Sequence, residues 1–352
     1  STKVMTLWSM RNVVQAWLDK HPSVMPDGWD SRELLEPSKD DGIQSFDDEG
    51  DVGVLRTWRA MCPELQERWP EAARPEHWDG VTMENGRVVN LELEEFGLTG
   101  AVPAEIGRLS ALRELNLSSN QLTGVPAEIG QLTSLRKLHL RGNQLTSVPA
   151  EIGQLTWLEW LDLGVNQLTS LPAEIGQLTS LTGLGLRGNK LTTLPAEIWQ
   201  LTSLGGLFLH DNQLTSVPAE IGQLTSLEQL HLGVNQLTSV PAEIGQLTSL
   251  KKLKLGGNQL TSVPAEIGQL TSLTELGLSD NQLTTLPAEI GQLASLRELN
   301  LSGNQLTTVP AEIGQLTALK KLYLGDNQLT SVPAEIGQLT LLRELRLNDN
   351  QL

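Results

Sequence analysis

The sequence predicts an α/β solenoid: a horseshoe with a parallel β-sheet on its concave face, short helices on its convex face, and a small, mainly helical N-terminal cap. Asparagines 120, 143, 166, 189, 212, 235, 258, 281, 304, 327 and 350 recur at a fixed interval of 23 residues, the mark of a stacked array. Each is preceded by leucines two apart, which puts both side chains on one face of a short strand. The 9 Trp are unevenly distributed and composition changes near Arg87, so two unlike segments are joined.

Residues 1–87 form the Trp-rich cap. Leu7, Met10, Val14, Trp17 and Leu18 recur at helical spacing over residues 6–20, and Val54, Leu55, Trp58, Met61 and Leu65 do so over 52–69, which predicts two helices. The acidic stretch between them, about residues 38–51 and including Asp47-Asp48-Glu49-Gly50-Asp51, lacks the ligand spacing of a calcium loop and is expected to be solvated. Trp58, Trp69 and Trp78 are expected to cover the open leucine edge of the first repeat in preference to forming an aromatic ligand box.

Residues 88–352 carry the array. A degenerate first copy has Val88, Leu91, Leu93 and Leu98 in the leucine places and Phe96 where asparagine belongs, giving twelve copies with the last incomplete. In Leu138-His139-Leu140 the leucines point inward and His139 outward. No copy buries its leucines alone, so copies stack, their strands pair in parallel and a continuous core forms. On the convex side Pro-Ala-Glu-Ile-Gly-Gln-Leu predicts a helix of one or two turns, mixed or 3₁₀, with proline in its first turn and glycine as an early cap. The repeated asparagine is expected to turn inward and bond the backbone of its own and the adjoining copy.

These phrases resemble the leucine-rich-repeat family. Pro-Ala-Glu-Ile-Gly-Gln-Leu-Thr is similar to intracellular Ras-interacting and Roco-type arrays, whereas Leu98-Thr99-Gly100-Ala101-Val102-Pro103 is similar to the plant receptor type. Trp78-Asp79-Gly80-Val81-Thr82, followed by Gly86-Arg87-Val88-Val89-Asn90-Leu91, resembles the cap of plant receptor kinases and of algal and bacterial repeat proteins, with Glu76 and Met83 where that cap usually has cysteines. The resemblance implies a protein-recognition platform and no enzyme.

Variation between copies concentrates on the outward strand positions. Trp160 and Phe208 rise on either side of Gly183, Gly185, Gly205 and Gly206, with His139, Asp162, His210 and His231 around them; this predicts an anchor site in which aromatic walls flank bare backbone. Lys252, Lys254, Tyr323 and Arg346 extend the candidate binding face, where Lys251, Lys320, Lys321 and Arg343 add positive charge and Glu275, Glu298 and Glu344 offset it. His139 with Asp162 is weighed as an acid–base pair and set aside, because an open arc excludes little water and no nucleophile or phosphate loop accompanies it. No metal or cofactor is expected.

A net charge of −17 argues against nucleic-acid or anionic-membrane partners and leaves a protein or peptide ligand. The single Cys62 favours a reducing compartment, and the absence of a signal-like start or long apolar run favours the cytoplasm, with an extracellular location open to a chain whose leader was removed. The sequons at Asn116 and Asn300 would put glycans on the concave face, which weighs the same way. Three readings result: a binding module on the concave face; a sensor or scaffold arm of a larger kinase or GTPase; and a threonine array (Thr146, Thr169, Thr192; Thr133, Thr156, Thr179) ordering water or ice. Self-association through the uncovered last copy is a further expectation.

Overall fold

The computed structural model describes residues 50–352; the helix expected over 6–20 and most of the acidic stretch lie outside them. Helix α1, Asp51–Met61, buries Val54, Leu55 and Trp58 on one face. It stops at Cys62, whose backbone is extended (φ −118, ψ 106), because Pro63 excludes the helical region for the residue before it. Helix α2, Pro63–Arg68, restarts with that proline at its first position. The single helix expected over 52–69 is therefore two, and Met61, expected in the core, is 55% exposed at the break.

Asp51 corrects a second expectation. It is buried, not solvated: its carboxylate accepts the Val88 N–H at 2.7 Å and pairs with Arg87 Nε at 3.0 Å, tying the start of α1 to the sheet. Trp69 and Trp78 stack with centroids 4.9 Å apart and planes 8° from parallel. Their indole N–H groups donate to the carbonyls of Asp79 and Pro70 at 2.8 and 3.0 Å, so both rings are buried core with their polar atoms satisfied. Both rings join the core that holds the first repeat's Leu91, Leu93 and Leu98.

Strand β1 (Val81–Glu84) runs antiparallel to β2 (Arg87–Glu92), and β2 opens the parallel array. Beyond it come β3 (Thr99–Ala101), β4 (Glu114–Asn116) and β5 (Gln121–Gly124). The three-residue strands β6–β15 follow: Lys137–His139, Trp160–Asp162, Gly183–Gly185, Gly206–Phe208, Gln229–His231, Lys252–Lys254, Glu275–Gly277, Glu298–Asn300, Lys321–Tyr323 and Glu344–Arg346. All but β3 and β5 form one 13-stranded sheet on the concave face; β3 and β5 pair separately. The central strand leucines, such as Leu138, Leu161 and Leu184, are fully buried beneath the sheet.

Each convex element is a five-residue 3₁₀ turn, Ala150–Gln154 for example, with Pro149 one residue ahead of it in extended conformation (φ −70, ψ 151). Proline thus precedes the first turn instead of entering it. Glycine does not cap the turn either. A Cβ on Gly153 would stand 2.5 Å from the Glu174 carbonyl, so glycine lets adjoining turns approach backbone to backbone. Trp199 breaks that pattern: buried at the glycine position, it leaves its turn, Ala196–Gln200, less closely packed on Ala219–Gln223 than the other turns are on theirs.

The asparagine ladder holds the copies together. Asn212 Nδ2 donates to the carbonyls of Leu186 and Leu209 at 2.9 and 3.1 Å, while its Oδ1 accepts the Leu191 N–H at 3.1 Å. Leu186 O also accepts from Asn189 Nδ2, so successive asparagines share carbonyls and stitch each copy to the one before it. Buried amides gain their full bonding from neighbours, and the neighbours gain theirs from them.

Candidate functional site

The parallel register aligns outward residues of successive copies into rows across the sheet. One row runs Lys137, Trp160, Gly183, Gly206, Gln229 and Lys252; the other runs His139, Asp162, Gly185, Phe208, His231 and Lys254. The candidates thus share one face.

Their arrangement differs from an open slot. A Cβ on Gly183 would lie 2.2 Å from the Trp160 ring, and one on Gly206 would lie 2.9 Å from the Phe208 ring. With no side chain beneath them the rings lie down over the glycines, and Gly183, Gly185 and Gly206 are buried. Trp160 and Phe208 come within 6.3 Å (centroids, 46° between planes), Phe208 meets His231 edge-on at 5.0 Å, and His231 meets His210 at 5.8 Å. The result is a continuous, half-buried aromatic plate over the strands, with no cavity between walls.

His139 and Asp162 do not form a dyad. Asp162 Oδ1 accepts the Gly164 N–H at 2.9 Å, while His139 Nε2 turns to Glu114 at 3.9 Å. At the basic end Lys252 and Lys254 both reach Glu275, Lys321 pairs with Glu298 at 3.2 Å, and Arg346 holds Glu344 at 2.6 Å while lying 4.9 Å above the Tyr323 ring. Tyr323 donates its hydroxyl to Glu344 at 2.9 Å. Burial works against charge on Glu275, yet the bond from Lys254 and the charges of Lys254 and Lys252 hold its pKa below the usual carboxylate value.

Beside the plate, at the C-terminal ends of the strands, runs a trough that sequence reasoning missed. One basin of about 460 Å³ is lined by His210, His231, Val234, Lys254 and Asp280 among others; a second of about 470 Å³, lined by Tyr323, Asp326 and Arg346, shares Ser279, Asp280 and Asn300 with it. Its lip is the residue before each asparagine, or before Phe96 in the first copy, which takes a left-handed backbone in every copy, from Glu95 (φ 58) and Ser119 (φ 55) to Asp349 (φ 53). Glycine, aspartate and serine at that column carry the signal. Val165 and Val234 break it: both have φ 52, unfavourable for a β-branched residue, and both are exposed, at 43% and 57%.

Arg187 precedes the lip residue Gly188 and stands beside the trough, lining neither basin. It is half-buried, its Nε is covered and unbonded, and no carboxylate pairs with it. Burial, then the charge of Arg187, holds the pKa of His210 below its usual value; burial, then His210 and Lys254, does the same for His231. Among the described residues no group of three potential ligands is placed to hold a metal ion, and no helix is long and apolar enough to cross a membrane.

Comparison with known proteins matches this geometry. The family described as a leucine-rich repeat region matches residues 84–183, 151–263 and 264–351. A leucine-rich-repeat protein of Leptospira interrogans is 48% identical, with a TM-score of 0.62 over 72% of this chain and 70% of that one. The Arabidopsis receptor kinase HAESA, solved with the peptide hormone IDA and the co-receptor SERK1, is 30% identical, with a TM-score of 0.74 over 85% of this chain and 53% of that one. The LRR receptor-like serine/threonine-protein kinase GSO2 of Arabidopsis thaliana is 36% identical over 71 residues, 20% of this chain and 5% of that kinase. A horseshoe of asparagine-stitched 23-residue copies, matched by the family from residue 84 to residue 351, places the chain in the leucine-rich-repeat family.

Proposed function

We propose that the chain is a recognition module that takes a protein or peptide segment along its concave sheet, anchored on the plate of Trp160, Phe208 and His231. One observation carries this reading: two large apolar rings stay half-exposed on strand positions where the fold's own core does not use them. Aromatic surface of this kind dominates binding energy at protein interfaces. The solved similarity to HAESA, whose structure holds a peptide hormone and a co-receptor, supports a peptide ligand lying on such a sheet. The paired charges of Lys252, Lys254, Glu275, Tyr323 and Arg346 form the polar rim, which steers and aligns more than it holds.

The test compares capture from the source organism's extract by the parent chain and by a Trp160→Ala, Phe208→Ala double variant shown to be folded. Partners lost from the variant support the plate as anchor. Equal recovery of the same partners removes it.

A second reading is that the array serves as the sensor arm of a larger signalling protein. The similarity to GSO2, of which the aligned stretch is only 5%, supports it. A full-length reading frame without a further domain would remove it.

A further inference from the structure

From the two histidines at the head of the trough and the arginine of the copy before them we infer that Arg187, His210 and His231 form a seat for a carboxylate of the bound peptide segment, bracketed by apolar contacts to Val165 and Val234. This rests on the concave-face reading above and names the chemistry of what binds there.

The three residues stand on consecutive copies: Gly188 N donates to His210 O at 3.0 Å, and Leu209 N donates to His231 O at 2.8 Å. In each, one side-chain nitrogen is buried with no bond: Arg187 Nε, His210 Nδ1 and His231 Nε2. The other nitrogens, Nε2 of His210, Nδ1 of His231 and the Arg187 terminal pair, are not sealed in and make no hydrogen bond within the protein.

Which of these carry hydrogen follows from burial. Both histidines have lowered pKa values and are neutral at pH 7, so each bears one N–H and one bare nitrogen. An N–H sealed in without an acceptor is the rarer and costlier defect, so the bare nitrogen lies inside and the N–H points into the trough. Arg187 has donors only. The three side chains therefore turn hydrogen-bond donors outward; the charges that reach the two histidines are those of Arg187, Arg141, Lys254 and Lys252 against those of Asp211 and Glu275.

Charge pairing sets it apart from the rest of the face. Lys137, Lys252, Lys254, Lys321 and Arg346 each have a glutamate partner, whereas Arg187 and Arg141 have none, and the charges of both reach His210. Asp211 is the carboxylate whose charge reaches His210, and its effect ranks below burial and below Arg187. A planar carboxylate meets the guanidinium edge-on and takes the two imidazole donors with its remaining lone pairs.

The valines supply the flanks. Val165 precedes Arg187 by one copy and Val234 follows His210 by one copy, so the strained, exposed residues bracket the donors. The left-handed backbone is common to the whole column, so what sets these two copies apart is an exposed apolar side chain on it. The occupant is then an acidic residue between apolar neighbours.

The experiment follows the side-chain nitrogen signals of Arg187, His210 and His231 in the full chain by NMR. It uses N-acetyl-phenylalanine, its uncharged amide and phenyl phosphate as probes, up to about 50 mM. The acid is expected to shift all three residues and to bind at least about fivefold more tightly than the amide. Arg187→Gln, and separately His231→Gln, are expected to erase that preference, while Trp160→Ala weakens acid and amide alike. Equal binding of acid and amide on the plate would overturn the carboxylate seat and leave the concave-face reading standing. Tighter binding of phenyl phosphate than of the acid would assign the seat to phosphate and overturn it too. No shift at any of the three residues overturns the seat, and shifts confined to the convex turns would count against both readings.

Discussion

Trp160 lies across Gly183 so closely that a Cβ there would stand 2.2 Å from the indole ring. The glycine is the bed of the aromatic plate: it lets a large side chain fold flat on the sheet instead of standing into solvent. Gly183→Val would push the ring up and break its 6.3 Å approach to Phe208. We expect the Trp160 near-ultraviolet circular dichroism contribution to change and partner affinity to fall by about tenfold or more, since a displaced hot-spot aromatic forfeits its packing. Stability should change little, because Gly183 faces the concave surface and not the leucine core. Unchanged affinity with a displaced ring would show that the ring's posture is irrelevant to binding.

The asparagine ladder predicts a contrast along the chain. Asn212→Ala orphans the buried Leu191 N–H, while Leu186 O keeps its bond from Asn189; the loss should be about 1–3 kcal/mol in urea unfolding. Asn350 makes the same set of bonds at the half-exposed last copy, where water can replace them. Asn350→Ala should therefore cost less than about 1 kcal/mol.

At Val234 a left-handed backbone carries a β-branched side chain. Val234→Asn keeps the φ at lower strain and should raise stability by about 1 kcal/mol while weakening partner binding. Gain of stability with unchanged binding would mean that the valine's strain has no counterpart in recognition.

His210 and His231 set a pH dependence. Their folded pKa values lie below the 6.5 of the free side chain, so below about pH 6.5 the unfolded chain binds more protons than the folded one. Their contribution is fully present above that pH and is lost as pH falls through it toward the folded values. Urea midpoints at pH 7.5 and about 5.5 should converge in a His210→Gln, His231→Gln double variant relative to the parent. An identical drop in both would place the acid sensitivity elsewhere.

Much of the fold was legible because each copy's inward positions obey a local period: Leu138 and Leu140 point inward whatever the neighbours are, and Asn143 has one buried place to go. What was misread depends on contacts between copies. Gly153 reads as a helix cap in one copy, and only the Glu174 carbonyl of the next reveals a close approach. Asp51 reads as one more acid in a solvated run, and its partner Arg87 lies 36 residues away. At the site, Trp160, Phe208 and the histidines were found as outward variants, but the sequence could not tell rings lying on glycines from walls around a gap. Arg187 was passed over because an arginine on a mixed-charge face is unremarkable until its Nε proves to be buried without a bond, beside two histidines in the same condition.

The central claim is that the concave sheet, and not the convex turns, receives the partner. A photo-crosslinking residue placed at Gln229, beside the plate, is compared with one at Gln223 on the exposed convex side of the adjoining turn. Crosslinks to a common partner from Gln229 that vanish in the Trp160→Ala, Phe208→Ala background, with none from Gln223, are the predicted result. Crosslinks from Gln223 alone, unaffected by the double substitution, would contradict it.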